Sequence, residues 1–372
     1  MNSKILHIVS FDNPYPPNYG GRIDVFYKIK ALKALGCRIT LHCFLKKGEI
    51  LHDELLKHVE MVHIYPFQHR WYHFFSFKPY SVLCRKNNLL LKRLKTGNET
   101  VLFEGLKSSY GFESLRTLCF LRLHNKEDDY YYGLFKSEPH FLKKLINWTE
   151  ALKYKVYQRK ISRFDAVFAL SKTETKWVAA YNKKEIYLPV FHGNEKVEIP
   201  LSKGEYVMYH GDLTSPDNFK TALFLIEVFN ELPDYPLLIA GNLTEADFKS
   251  KIKPQKAQVK YHQIQSFNDL KSLLQKAQIH ISWSFQQSGT KLKALNALMN
   301  SKFNIINPNV IDDEQLHRIC MVCHSKEELK EAVINLYTQK FTIENLQERI
   351  KIMQICYSDE RNARLLMETL AN

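Results

Sequence analysis

No apolar run in this 372-residue chain reaches the ~18 residues that a membrane-spanning helix requires. The first ten residues lack the long apolar stretch and small-residue cleavage site of a secretory leader, and read instead as a short strand. Glycine and proline number thirteen each, too few for a collagen-like or linker-rich chain. The seven cysteines (Cys37, Cys43, Cys84, Cys119, Cys320, Cys323 and Cys356) are odd in number and lie mostly in apolar contexts, unlike a disulfide-stapled domain. Cys320 and Cys323 form one close pair with no second pair at zinc-ligand spacing, so they read as structural thiols. No Gly-x-Gly-x-x-Gly follows a strand, and no Gly-x-x-x-x-Gly-Lys-Ser/Thr loop occurs. Zinc-finger spacing and RNP-type aromatic motifs are missing too, which removes support for nucleic acid as a partner.

What remains is a chain able to bury a large core: 45% hydrophobic, 25% charged and 13% aromatic residues exclude wholesale disorder. The expectation is a cytoplasmic, multi-domain α/β protein. Its formal net charge of +14 is uneven. Residues 1–200 hold 33 Lys and Arg against 19 Asp and Glu, whereas residues 201–372 hold 20 against 20. Such asymmetry fits one domain facing an anionic partner, either a membrane surface or a phosphate-bearing acceptor, or simply a well-solvated basic face.

Short apolar strands alternate with helical patterns almost throughout, which is how parallel sheets with crossover helices read. One series of strands covers residues 4–11, 38–44, 61–65, 100–103, 118–123, 166–170 and 185–188. A second covers 206–209, 236–240, 258–262, 279–283, 304–306 and 319–322. Helices are expected over 22–35, closing at Gly36, over 139–162, 327–338 and 342–370, the last broken near Ser358. The segment 192–203 reads as a linker. The resulting domains are 1–192, with the terminal helix 356–372 packing back on it, and 203–355. In open parallel sheets, ligands collect where strands end, which singles out the loops after residues 11, 123, 209 and 283.

Those loops carry distinctive segments: Pro14-Tyr15-Pro16-Pro17-Asn18-Tyr19-Gly20-Gly21-Arg22, Leu123-His124-Asn125-Lys126-Glu127, His210-Gly211-Asp212-Leu213 with Pro216-Asp217-Asn218, and Ser288-Gly289-Thr290-Lys291-Leu292-Lys293. In this order and spacing the chain resembles the GT-B glycosyltransferases, specifically the retaining transferases of family 4. The resemblance implies two doubly wound Rossmann-like domains facing across a cleft. It implies a transferase moving a sugar from a nucleotide-sugar donor to a saccharide or lipid-linked acceptor in polysaccharide biosynthesis, with retention, no metal and no cofactor. His124 and Lys293 would be catalytic. Gly20, Gly21, Gly211, Asn218, Ser288, Gly289, Thr290 and Asn296 would bind the donor, and Arg22, Asn125 and Glu127 would face the acceptor. The loop 263–266 would meet the base.

The physics of these segments is compatible with those roles. Helix N-termini at Gly20-Gly21 and near Gly289 offer free N–H donors to an anion, though a tight strand-to-helix turn explains the first pair equally well. Lys293 adds a cation, with a solvated helix face as its plainer reading.

Where family members carry two glutamates eight positions apart, this chain has Ser288 and Asn296. An amide accepts ribose hydroxyls less well than a carboxylate. The alternative is therefore a weakened or inactive GT-B protein that serves as partner to an active transferase. Between residues 65 and 80, eight aromatic residues interleave with Arg70, His73 and Lys78. That composition suits peripheral contact with an anionic inner membrane face, or a core beneath a long loop.

Overall fold

The computed structural model describes residues 5–253, 258–285 and 292–371. By its internal packing the chain divides into two compact units, residues 1–193 with 357–372 and residues 194–356.

The first unit holds a seven-stranded parallel sheet in the order β3-β2-β1-β4-β5-β6-β7. Its strands are β1 (Ile5–Val9), β2 (Arg38–Leu45), β3 (Met61–Pro66), β4 (Thr100–Glu104), β5 (Cys119–Arg122), β6 (Ala166–Ala169) and β7 (Glu185–Tyr187). The second unit holds a six-stranded parallel sheet, β10-β9-β8-β11-β12-β13. Its strands are β8 (Tyr206–Gly211), β9 (Leu237–Gly241), β10 (Val259–Gln263), β11 (Ala277–Ser282), β12 (Phe303–Ile306) and β13 (Met321–Val322). Central strands such as β2, β9 and β11 are buried on both faces because helices cover both sides. In each sheet the strand order reverses beside its first strand, at β1/β4 and at β8/β11. The carboxyl ends of those strands are thus the topological switch points.

The first helix, Gly20–Ala34, starts two residues earlier than the sequence pattern suggests, so Gly20 and Gly21 lie in its first turn. Tyr19 precedes it in extended backbone, and its carbonyl accepts the Ile23 N–H at 3.0 Å. The segment after β5, expected as a loop, turns helical at Glu127 and runs to Ser137. Glu127, Asp128 and Asp129 stand in its first turn, where carboxylates complement the positive end of the helix dipole. The helix expected over 139–162 is α-helical only over Phe141–Tyr157 and tightens into a 3₁₀ turn at Gln158–Arg163.

The chain end forms two helices, Ile343–Tyr357 and Asp359–Ala371. Ser358 separates them, its hydroxyl accepting the Arg361 N–H at 3.3 Å. The final helix contributes Ala363, Leu366 and Leu370 to the core of the first unit, beside Val25, Ile29 and Leu32. Asp359 accepts the backbone N–H groups of His192 and Gly193 at 3.1 and 2.9 Å, so the end of the first unit's main segment and this helix are fastened together.

Candidate active site

In the first unit the site grows from a buried charge network at the carboxyl ends of β4 and β5. Glu104 closes β4 and Arg122 closes β5, each the charged last residue of an otherwise buried strand. Asp24 and Lys28 sit one turn apart on the first helix and face them. Arg122 donates to Asp24 at 3.0 and 3.1 Å and to the carbonyls of Leu188 and Pro189 at 2.5 and 3.1 Å. Lys28 Nζ lies 3.0 Å from the Asp24 carboxylate and 2.8 Å from that of Glu104. The Phe191 N–H donates to Asp24 at 2.8 Å. Burial by itself pushes both carboxyls up, but Arg122 and Lys28 hold Asp24 well below the ordinary range. Glu104 is likewise held down, by Lys28 and His124.

His124 is what this network positions. Its Nε2 lies 2.8 Å from the Glu104 carboxylate and 3.9 Å from Asp24. In the tautomer that donates Nε2–H to Glu104, Nδ1 is the nitrogen left to accept a hydrogen bond from a hydroxyl. The ring also meets the edge of Phe11 at a centroid distance of 5.2 Å. Gly21 is glycine because a Cβ there would stand 2.7 Å from the Phe11 ring. Asp24, Glu104 and His124 together have the spacing of a metal-ligand set. Lys28 and Arg122 already take those carboxylate oxygens, so a divalent cation would have to displace a buried ammonium.

The other first-unit candidates separate. Arg22 is buried and braces the preceding loop, donating to Glu49 at 2.8 Å and to Asp12 at 3.4 Å. Tyr19 donates to the same Asp12 oxygen. Glu127 is buried with its Oε1 lacking a hydrogen-bond partner among the described residues, while Asn125 is half-buried.

In the second unit Lys293 is the second residue of the helix Leu292–Asn300. Its Nζ donates to Asn218 Oδ1 at 3.0 Å and lies 3.3 Å from the Tyr209 hydroxyl, 4.9 Å over that ring. The Asn218 amide in turn donates to the Asp212 carbonyl at 3.0 Å. At Gly211, the end of β8, a Cβ would stand 3.3 Å from the Asn218 side chain. Lys293, Asn218 and Gly211 thus converge at the switch point of the second sheet. Below them His210 and His280 share a 2.8 Å hydrogen bond between ring nitrogens. Burial, then Lys293, lowers His210 to about 3, and burial and its neighbours hold His280 neutral as well, so neither ring adds charge.

Asn296 stands apart from this trio, joined to Asn194 and Asn300. Asn194 donates its amide to Asn296 Oδ1 at 3.0 Å, and Asn300 donates to Asn194 at 3.2 Å. Ser288, Gly289 and Thr290, with Lys291, lie outside the described residues. The loop 263–266 caps the next helix through the Ser266 hydroxyl, which accepts the Asp269 N–H at 3.1 Å.

The aromatic segment after β3 divides. Tyr65 is core, and His73 is buried. Trp71, Phe75 and Phe77 are 75%, 80% and 96% exposed. The segment is pinned to the Phe141–Tyr157 helix: Lys153 donates to the Phe74 carbonyl at 2.9 Å, and Glu150 accepts the Tyr80 N–H at 2.8 Å. That helix exposes its own stripe of Phe141, Leu145, Trp148, Leu152 and Val156. The spacing of four, three, four and four residues places them on one face. The stripe is an addition from the structure.

No protein-family model matches the chain. A Klebsiella pneumoniae protein described as "Uncharacterized 44.6 kDa protein in cps region" is 26% identical over 325 residues, covering 81% of this chain and 82% of its own. Among solved structures, a glycosyltransferase from Rickettsia africae superposes with a TM-score of 0.65 at 15% identity, covering 100% of this chain and 98% of its own. Anabaena HepE in complex with UDP and glucose gives 0.65 at 14% identity, covering 100% of both chains. Staphylococcus aureus TarM, solved with UDP, gives 0.64 at 10% identity, covering 99% of this chain and 100% of its own. The fold is that of the GT-B glycosyltransferases.

Proposed function

We propose that this protein transfers a sugar from a uridine diphosphate sugar to a saccharide or lipid-linked saccharide, with retention and without a metal. The observation that carries the reading is the convergence of Lys293, Asn218 and Gly211 at the second switch point. A cation and the start of a helix there suit the leaving diphosphate, whose charge must be stabilised as the glycosidic bond breaks. His124, oriented by Glu104, suits a sugar hydroxyl on the first unit. The resemblance implies that the departing phosphate takes the acceptor proton. The choice of uridine follows the UDP complexes of the structural neighbours.

The test is direct. Purified protein is titrated with UDP by calorimetry, and UDP release from UDP-sugars is followed with and without oligosaccharide acceptors. Binding with release supports the transferase. Binding without release under any acceptor favours the weakened GT-B partner, motivated by Ser288 and Asn296. No UDP binding ends both readings.

Asn296 provides a sharper check of the donor site. One side of its amide is held by Asn194, and its Nδ2 has no hydrogen-bond partner among the described residues. A carboxylate at this position keeps the Asn194 contact and adds a charge-assisted acceptor for ribose. The gain over a neutral bond is ~1 kcal/mol or slightly more. Asn296→Glu should therefore tighten UDP binding by roughly five- to tenfold. Flat or weaker binding would remove Asn296 from the ribose site.

The exposed aromatics extend the reading to a membrane-borne acceptor. Trp71, Phe75 and Phe77 adjoin the Phe141–Val156 stripe, and Arg70, Lys78, Lys143 and Lys144 flank them. Rings at headgroup depth and basic residues at ~1 kcal/mol each suit anionic lipid. Trp71→Ala with Lys78→Glu should weaken sedimentation with phosphatidylserine vesicles at least about tenfold. Melting should shift little, because both side chains are exposed. Unchanged vesicle binding, or a concentration-dependent dimer lost in the double variant, would overturn the membrane assignment.

A further inference from the structure

Beside His124 lie two half-buried cations that the charge network does not use. Lys107 projects from the turn after β4, where Gly105 adopts φ +74°. That backbone favours glycine, and a Cβ on it would stand 3.8 Å from both His124 Cδ2 and the Lys107 stem. The lysine and the histidine therefore border the same small volume. Lys107 Nζ rests 4.1 Å over the Phe11 ring, which also edges His124. It has no hydrogen-bond acceptor among the described residues.

Arg85 meets the backbone of the same phenylalanine, donating to the Phe11 carbonyl at 2.5 Å and to the Ser81 carbonyl at 2.6 Å. Its guanidinium lies 4.8 Å over Phe67. Neither cation has a carboxylate within ion-pair distance among the described residues. The nearest acidic neighbours are Glu127 and Asp12. They favour the charged form of Lys107 from farther away, against burial and Arg85, and the net shift is downward. Asp12 is already engaged by Arg22 and Tyr19. A half-buried ammonium that faces only an aromatic ring, with no hydrogen-bond acceptor or ion pair among the described residues, is costly to hold and is a ready receptor for an anion.

We infer that Lys107, backed by Arg85, binds an oxyanion of the acceptor, a sugar carboxylate or a phosphate ester, next to the hydroxyl that His124 receives. This rests on the reading that the first unit takes the acceptor. The first half of the chain carries the whole positive excess, 33 basic against 19 acidic residues, as an anionic acceptor would favour.

The test compares the full chain with Lys107→Met and Lys107→Gln, using inorganic phosphate, methyl β-glucuronide and neutral methyl β-glucoside as probes, with UDP titrated separately. The wild type should bind one of the anions at least about tenfold more tightly than the neutral glycoside. Either variant should lose that preference, keep UDP affinity within about twofold, and melt at a higher temperature because a half-buried cation without a counter-charge is gone. Preference for glucuronide assigns an acidic sugar, and preference for phosphate assigns a phosphate ester. Equal binding of charged and neutral probes by the wild type overturns the inference. So does anion binding that survives in both variants, or a loss of UDP affinity as large as the loss for the anions, which would place Lys107 at the donor diphosphate. Loss of folding in both variants would make Lys107 structural and overturn it too. If the wild type binds the anions but not UDP, the donor reading fails while the anion site stands.

Discussion

Asp24→Ala should destabilise the first unit by about 3–5 kcal/mol, the cost of leaving buried charge without its partner. The carboxylate accepts from Arg122, Lys28 and the Phe191 N–H, and its loss strands two cations with nearly no access to water. In calorimetry the transition of that unit should fall by roughly 10 °C, at about 2–4 °C per kcal/mol for a domain of this size. The pH dependence follows from the direction of the shift. Asp24 is held below its ordinary range in the folded state. Its contribution is therefore complete above the unfolded carboxyl value of ~4 and declines as pH falls toward the depressed folded value. The variant should show a shallower loss of stability between neutral pH and strong acid. A change below about 1 kcal/mol would mean that Glu104 and the carbonyls of Leu188 and Pro189 alone suffice for the cations.

Lys293→Ala should raise the donor KM at least about tenfold or abolish turnover. One charge-assisted contact to phosphate contributes ~1.5–3 kcal/mol. The neighbouring histidines offer no substitute, because His210 and His280 are held neutral. Lys293 is half-exposed, and its loss leaves Asn218 still anchored to Asp212, so melting should change little. UDP affinity measured by calorimetry separates the roles: weakened binding places the ammonium on the diphosphate. Unchanged kinetics and binding would remove Lys293 from the site.

Much of this architecture is legible in the sequence because parallel strands covered on both faces are short, continuous apolar runs between helical segments. Those runs predict both sheets, and the loops after β1, β5, β8 and β11 follow from where they stop. The helix at Glu127–Ser137 was harder to read. Its run of three tyrosines after three acidic residues has no clear apolar stripe, and Tyr130 and Tyr132 remain exposed. The apolar periodicity of the first helix begins only after Arg22, and Tyr19, the cap residue, contributes no side-chain capping bond that would have marked the start at Gly20.

The site itself divides in the same way. His124, Lys293 and the glycines stand in local motifs and can be found by spacing. Asp24, Lys28, Glu104, Arg122 and Lys107 are brought together from positions 24 to 122, a relation no window of sequence contains. A signal did exist: a charged residue ending an apolar strand, as at Glu104 and Arg122, has to find its counter-charge in the fold.

The return of the last helix to the first unit has a consequence for how the protein is made. The second unit is a single continuous stretch, residues 194–356, and is complete once its last strand and helices leave the ribosome. The first unit is discontinuous. Its core lacks Ala363, Leu366 and Leu370, and the amides of His192 and Gly193 lack the Asp359 carboxylate, until residues 357–372 have been made. The first unit is therefore completed only after the second unit has been made, and until then an apolar strip over Val25, Ile29 and Leu32 waits uncovered for its partner.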